Sequence, residues 1–100
     1  MRMLCTYTPK PGQEEKVLHL LKSHLPTLRE VGLAGDKAGV VWRSRTKDGT
    51  TRFVERFDWA GPESPNIAHQ LPAVMAVWEP LGALCDAMEF AVVDVVIGSE

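Results

Sequence analysis

Between Val40 and Trp59 the sequence alternates twice about a Lys47-Asp48-Gly49-Thr50 turn. Two runs of β-branched and aromatic residues joined by an Asp-Gly pair read as an antiparallel hairpin, which fixes which side chains share a face. With Asp48 and Gly49 as the two loop residues, Trp42 stands opposite Glu55 and Val40 opposite Phe57. That register puts Val40, Trp42, Ser44, Phe53, Glu55, Phe57 and Trp59 on one largely apolar face, the face that helices should cover. Val41, Arg43, Arg45, Arg52, Val54, Arg56 and Asp58 fall on the other, mostly charged face.

The flanks supply the rest of the sheet and its helices. Residues 2–8 alternate and read as a first strand, ended by the turn Pro9-Lys10-Pro11-Gly12. Gln13-Glu14-Glu15 opens a helix, with acids at the positive end of its dipole. Val17, Leu20, Leu21, His24, Leu25, Leu28 and Val31 form its apolar stripe, Pro26 should kink it, and Gly32 should stop it. After a Gly- and Pro-rich loop with Ser64 or Asn66 as cap, residues 66–86 are helical in pattern, with breaks expected at Pro72 and Pro80. On an unbroken helix, His69 and Trp78 would point to opposite sides; a break at Pro72 lets both face one cavity. Met88 to Ile97 read as a last strand, apolar on both sides except at Asp94.

The order is β-α-β-β-α-β, an α+β ferredoxin-like pattern with an antiparallel sheet and both helices on one side. At 100 residues a single domain over 1–100 is expected. A last strand with two apolar sides is covered on both, so a homodimer built sheet to sheet is expected. The net charge of −2 gives no basic footprint for nucleic acid or an anionic membrane, and no apolar run spans a bilayer. The start lacks the apolar block of a signal peptide, which makes a cytoplasmic protein the expectation. Cys5 and Cys85 form no Cys-x-x-Cys pair and read as buried reduced thiols. No zinc spacing and no Gly-rich phosphate loop occur, so neither a metal site nor another cofactor is expected.

The element order, the "KPGQEEKV" entry to the first helix, the "FVERF" strand and the "IAH" opening of the second helix resemble the antibiotic biosynthesis monooxygenase-like family. The resemblance covers nearly the whole chain. It implies the dimeric α+β barrel, with a ligand pocket between helices and sheet. The family includes cofactor-independent oxygenases of phenols and quinols, haem-degrading enzymes and members without known activity. Haem-degrading members use an Asn on strand one, a Trp early in helix two and a His further along. Those places here fall near Cys5, His69 and Trp78, which leaves haem as a third-ranked reading.

A cofactor-free oxygenase removes a proton from an electron-rich phenol, excludes water and holds the ring. His69, near a helix start and a loop, is the candidate base. Trp78, Trp42, Glu55, His24 and Phe53 are the candidate ligand contacts. Glu55, set among aromatics, must be paired or hold a raised pKa. Trp78 also belongs to a core stripe with Leu71, Val74, Met75 and Leu81, and His24 to that of the first helix. His19 reads as solvent-facing, Asp94 as a guard against wrong strand pairing, and Arg43, Arg45, Arg52 and Arg56 as one charged hairpin face. The leading expectation is a homodimeric, cofactor-independent monooxygenase-like protein binding a small aromatic or quinol. The alternative is a non-catalytic dimeric binding or interaction module of the same fold.

Overall fold

The computed structural model describes residues 1–99. Its elements are β1 (Arg2–Pro9), α1 (Glu14–Glu30), β2 (Val40–Arg45), β3 (Thr51–Asp58), α2 (Ser64–Ala68), α3 (Pro72–Leu84) and β4 (Cys85–Val92). The strands form one antiparallel sheet in the order β2-β3-β1-β4. Alternation does the sorting expected of it. Met3, Cys5 and Tyr7 of β1 pair with Phe57, Glu55 and Phe53 of β3, and all six are buried on the face that the helices cover.

The helices reach that face through one stripe each. Val17, Leu21, His24 and Leu28 of α1, and Val74, Val77 and Leu81 of α3, are their buried residues. Burying a side chain such as Leu28 or Leu81 contributes roughly 1.5–3 kcal/mol. Pro26 and Pro80 both lie inside their helices, and neither ends its element. The expected break at Pro80 is therefore absent, whereas the one at Pro72 is present. Leu71 is extended (φ −100°, ψ 120°), and Pro72 opens α3 in its first turn. A residue before proline is pushed out of the helical region, and proline's missing N–H costs nothing at a helix start.

Two expectations are corrected by the strand pairing. The hairpin loop has three residues, not two. The backbone N–H of Thr46 donates to Thr50 O at 3.0 Å, that of Gly49 donates to Thr46 O at 3.0 Å, and Gly49 takes φ +87°. This is a type I turn followed by a left-handed glycine, with Asp48 accepting from the Thr50 N–H and the Thr46 hydroxyl. The extra loop residue slips the register by one, so Trp42 pairs with Val54 and Val41 with Glu55. A slip of one turns every side chain of β2 over. Val40, Trp42 and Ser44 now share the bare face with Arg52, Val54 and Arg56, while Val41, Arg43 and Arg45 lie on the helix side. The four arginines do not share a face.

The last strand also starts and ends early. It follows α3 without a loop, and its pairing stops at Val92 opposite Met3, one residue inside the start of β1; Val93 N–H makes a final bond to Arg2 O at 3.0 Å. Residues 94–97 have no partner strand left to join, so Asp94 lies outside β4, and Val95, Val96 and Ile97 are exposed. No helix among the described residues is long and apolar enough to cross a membrane.

Candidate active site

Between the helices and the sheet lies a cavity of about 390 Å³. Its floor is the helix-side residues of β1 and β4, Met3, Cys5, Tyr7, Met88, Phe90 and Val92. Phe57 and Trp59 close it from the β3 end, His24 and Leu81 from α1 and α3, and Met1, Pro65, His69 and Trp78 complete the wall. No Asp, Glu, Lys or Arg lines it. Such a space takes an apolar guest held by a few polar contacts.

The aromatic rings stand nearly at right angles to their neighbours, like the sides of a box. Ring centroids are 5.5 Å apart for His24 and Phe57, 4.9 Å for Phe57 and Trp59, and 6.4 Å for Trp59 and Trp78. The break at Leu71 turns the chain so that His69, at the end of α2, meets Trp78 edge to face at 4.9 Å. Ala68 is buried and anchors the short helix, while His69 is exposed at the cavity rim. Among the described residues nothing hydrogen-bonds its imidazole, which is therefore open to a guest.

His24 is differently placed. It is 2% exposed, and both ring nitrogens are engaged. Trp78 Nε1–H donates to His24 Nε2 at 2.8 Å. An indole nitrogen only donates, so Nε2 carries no proton and the neutral ring holds its proton on Nδ1. Nδ1–H in turn donates to the Glu55 carboxylate, 2.9 Å from each oxygen. Tyr7 O–H donates to Glu55 Oε1 at 2.8 Å. Glu55, 2% exposed, thus accepts from two uncharged donors, and no cation is among its hydrogen-bond partners. Burial first, and then the charge of Glu55, push the Cys5 thiol up to about 12 and drive the Tyr7 hydroxyl far above its ordinary value. Both stay protonated at neutral pH and offer no nucleophile.

No protein-family model and no curated protein matches the sequence. Solved structures match over almost the full chain. A crystal structure of an antibiotic biosynthesis monooxygenase superposes with a TM-score of 0.69 at 14% identity, covering 96% of this chain and 98% of that one. The chain has the fold of the antibiotic biosynthesis monooxygenases. SnoaB, a cofactor-independent oxygenase from Streptomyces nogalater, gives a TM-score of 0.72 at 14% identity over 97% of this chain and 93% of its own. The same fold serves other proteins. A NIPSNAP family protein from Agrobacterium tumefaciens matches with a TM-score of 0.66 at 12% identity, over 97% of this chain and 87% of its own.

Within this monooxygenase fold, the structure brings His69, Trp78 and His24 together on one cavity wall. Glu55 stands directly behind that wall, bound to His24 and Tyr7. Phe53 is buried in the core away from the lining, with the Arg43 guanidinium 5.7 Å from its ring centre. Trp42 is 47% exposed on the bare face, because of the slipped register, and is no part of the cavity. His19 is exposed on α1. Sequence reasoning missed Tyr7, Trp59, Met88 and Phe90. Tyr7 carried a usable signal: it shares the inward phase of β1 with Cys5, one pleat along from the position opposite Glu55.

Proposed function

We propose that this chain forms a homodimer, sheet to sheet, whose protomers each oxidise a small phenol or quinol with molecular oxygen and no added cofactor. One observation carries the reading: an aromatic-walled cavity of about 390 Å³ with an imidazole, His69, uncommitted at its rim. The ring of the phenol packs among Phe57, Trp59 and Trp78, its hydroxyl against His69. His69 takes the phenolic proton, and the phenolate passes an electron to oxygen. The radical pair then joins at a ring carbon, and loss of water leaves the quinone. One oxygen atom ends on the ring, and the other leaves as water with the two hydrogens the substrate gives up.

The dimer is supported by the bare face. It carries half-buried Leu4, Val40 and Val54 beside exposed Trp42, and the apolar tail Val95-Val96-Ile97 is likewise uncovered. Apolar surface of this kind marks an interface.

Oxygen consumption with a panel of quinols and hydroxyanthracenes tests the chemistry. Turnover that is lost in His69→Ala is the expected result. Binding without oxygen uptake by the unaltered protein would leave a binding module instead.

A further inference from the structure

We infer that the cavity discriminates by charge, admitting neutral or cationic aromatic guests and rejecting those that carry a carboxylate or phosphate, because Glu55 sits behind its wall as an uncompensated anion. This deepens the function proposed above and rests on its premise that the cavity takes an aromatic guest.

The hydrogen-bond order decides the charge count. Trp78 donates to His24 Nε2, so His24 is neutral, and its Nδ1–H and the Tyr7 hydroxyl are the two donors on Glu55. Both donors are uncharged and both line the cavity, which puts the carboxylate one side chain away from any guest. No cation stands on the guest's side, since no Lys or Arg lines the space. The neighbouring cations lie elsewhere. Arg43, on the edge strand, stacks over Phe53 and is exposed. Arg2 pairs with Asp58 on the bare face at 3.2 Å, and Arg56 shares that face. The field of Glu55 already reaches Cys5 and Tyr7, the floor of the cavity, where it adds to burial in holding their protons on.

The effect on a guest follows from Coulomb's law. A second negative charge within one side chain of a carboxylate, at the effective dielectric of a partly buried site, weakens binding by roughly tenfold or more. The proposed proton transfer meets less of this penalty than a pre-formed anion does. The phenol enters neutral, and the imidazolium formed on His69 stands beside the phenolate and offsets its repulsion by Glu55.

Four probes separate charge from size: a naphthol, a hydroxynaphthoate, the methyl ester of that acid, and naphthylmethylammonium. Quenching of tryptophan fluorescence reads binding, because Trp59 and Trp78 line the site. The expected order is the ammonium and the naphthol tightest, the ester close behind, and the carboxylate weaker than its ester by roughly tenfold or more. In Glu55→Gln, that gap between acid and ester closes. A carboxylate that binds the unaltered protein as tightly as its ester overturns the inference without needing the variant, as does an ammonium weaker than the carboxylate. A gap unchanged in a folded Glu55→Gln protein overturns Glu55 as its source. If none of the four binds, the aromatic-guest premise fails, and the inference falls with it.

Discussion

The two faces of the sheet are built from the same strands in alternating phase, and they have opposite characters. The helix side is covered by α1 and α3 over its centre, where Tyr7, Glu55, Phe53 and Phe57 are at 4% exposure or less, and we call it the sealed side. The bare side holds Leu4, Val54 and Trp42 among Arg2, Arg52, Arg56 and Asp58, none of them buried. Polarity alone does not separate the two, since the most deeply placed carboxylate is on the sealed side. What separates them is commitment. On the sealed side each side-chain polar atom of the Tyr7–Glu55–His24–Trp78 chain has a hydrogen-bond partner, whereas on the bare side the charges lie within reach of water. The polar chain thus adds directional contacts to an apolar core that has none.

That contrast breaks most readily at its centre. His24→Leu leaves Glu55 without one donor and the Trp78 indole without its acceptor, and should cost about 2–4 kcal/mol in urea unfolding. Trp42→Ala on the bare face should cost a small fraction of that in the isolated protomer, and equal losses would erase the distinction. The rim of the cavity should behave unlike both. His69→Ala is expected to change stability by no more than about 0.5 kcal/mol while lowering the proposed quinol oxidation by about 10²–10⁴-fold in initial-rate assays.

Alkali sharpens the comparison further, since Cys5 is on the sealed side. Its pKa is raised by burial, and then by Glu55, from 9.0 to about 12. The folded state holds this proton more tightly than the unfolded one, so the contribution is fully present below pH 9.0 and is lost as the pH rises toward about 12. Unfolding free energy should fall there by up to about 1.4 kcal/mol per pH unit for this group, and Cys5→Ala should flatten that slope. On the bare face, Val54→Lys should raise the dissociation constant of the proposed dimer by about tenfold in sedimentation experiments, the equivalent of about 1.4 kcal/mol of lost apolar contact.

The smallest effect belongs to neither face but to the hairpin tip. Asp48 is held near 2 by the Thr46 hydroxyl and then by the Thr50 backbone N–H, below its ordinary 3.8. Its contribution is present above pH 3.8 and fades as the pH falls through about 2. Asp48→Ala should therefore lower the melting temperature slightly at neutral pH and not at all at the acid end.

Much of this was legible in the residues. The alternation of β1 and β3, the stripes of α1 and α3 and the break at Pro72 are local patterns with local causes, and they were enough for the ferredoxin-like order. What was not legible depended on counting across space. Lys47-Asp48-Gly49-Thr50 suits a two-residue or a three-residue loop, and only the Thr46–Thr50 pairing decides between them, carrying Trp42 from one face to the other. Val93 to Ile97 have strand composition but no strand beside them, because β1 begins at Arg2. Glu55 was recognisable as a buried acid needing partners; that its partners would be Tyr7 and His24, 48 and 31 residues away, was not.

The extended residue at Leu71 has a dynamic consequence. It divides one long helix into a five-residue piece and a thirteen-residue piece, and these are secured to different degrees. The longer piece holds Trp78 through Val74, Val77 and Leu81, while the shorter holds His69 through Ser64 and Ala68. Local opening follows the number of buried anchors. Amides of residues 64–70 should therefore exchange with solvent deuterium well before those of α3, so that the two groups flanking the cavity rim keep time on separate clocks.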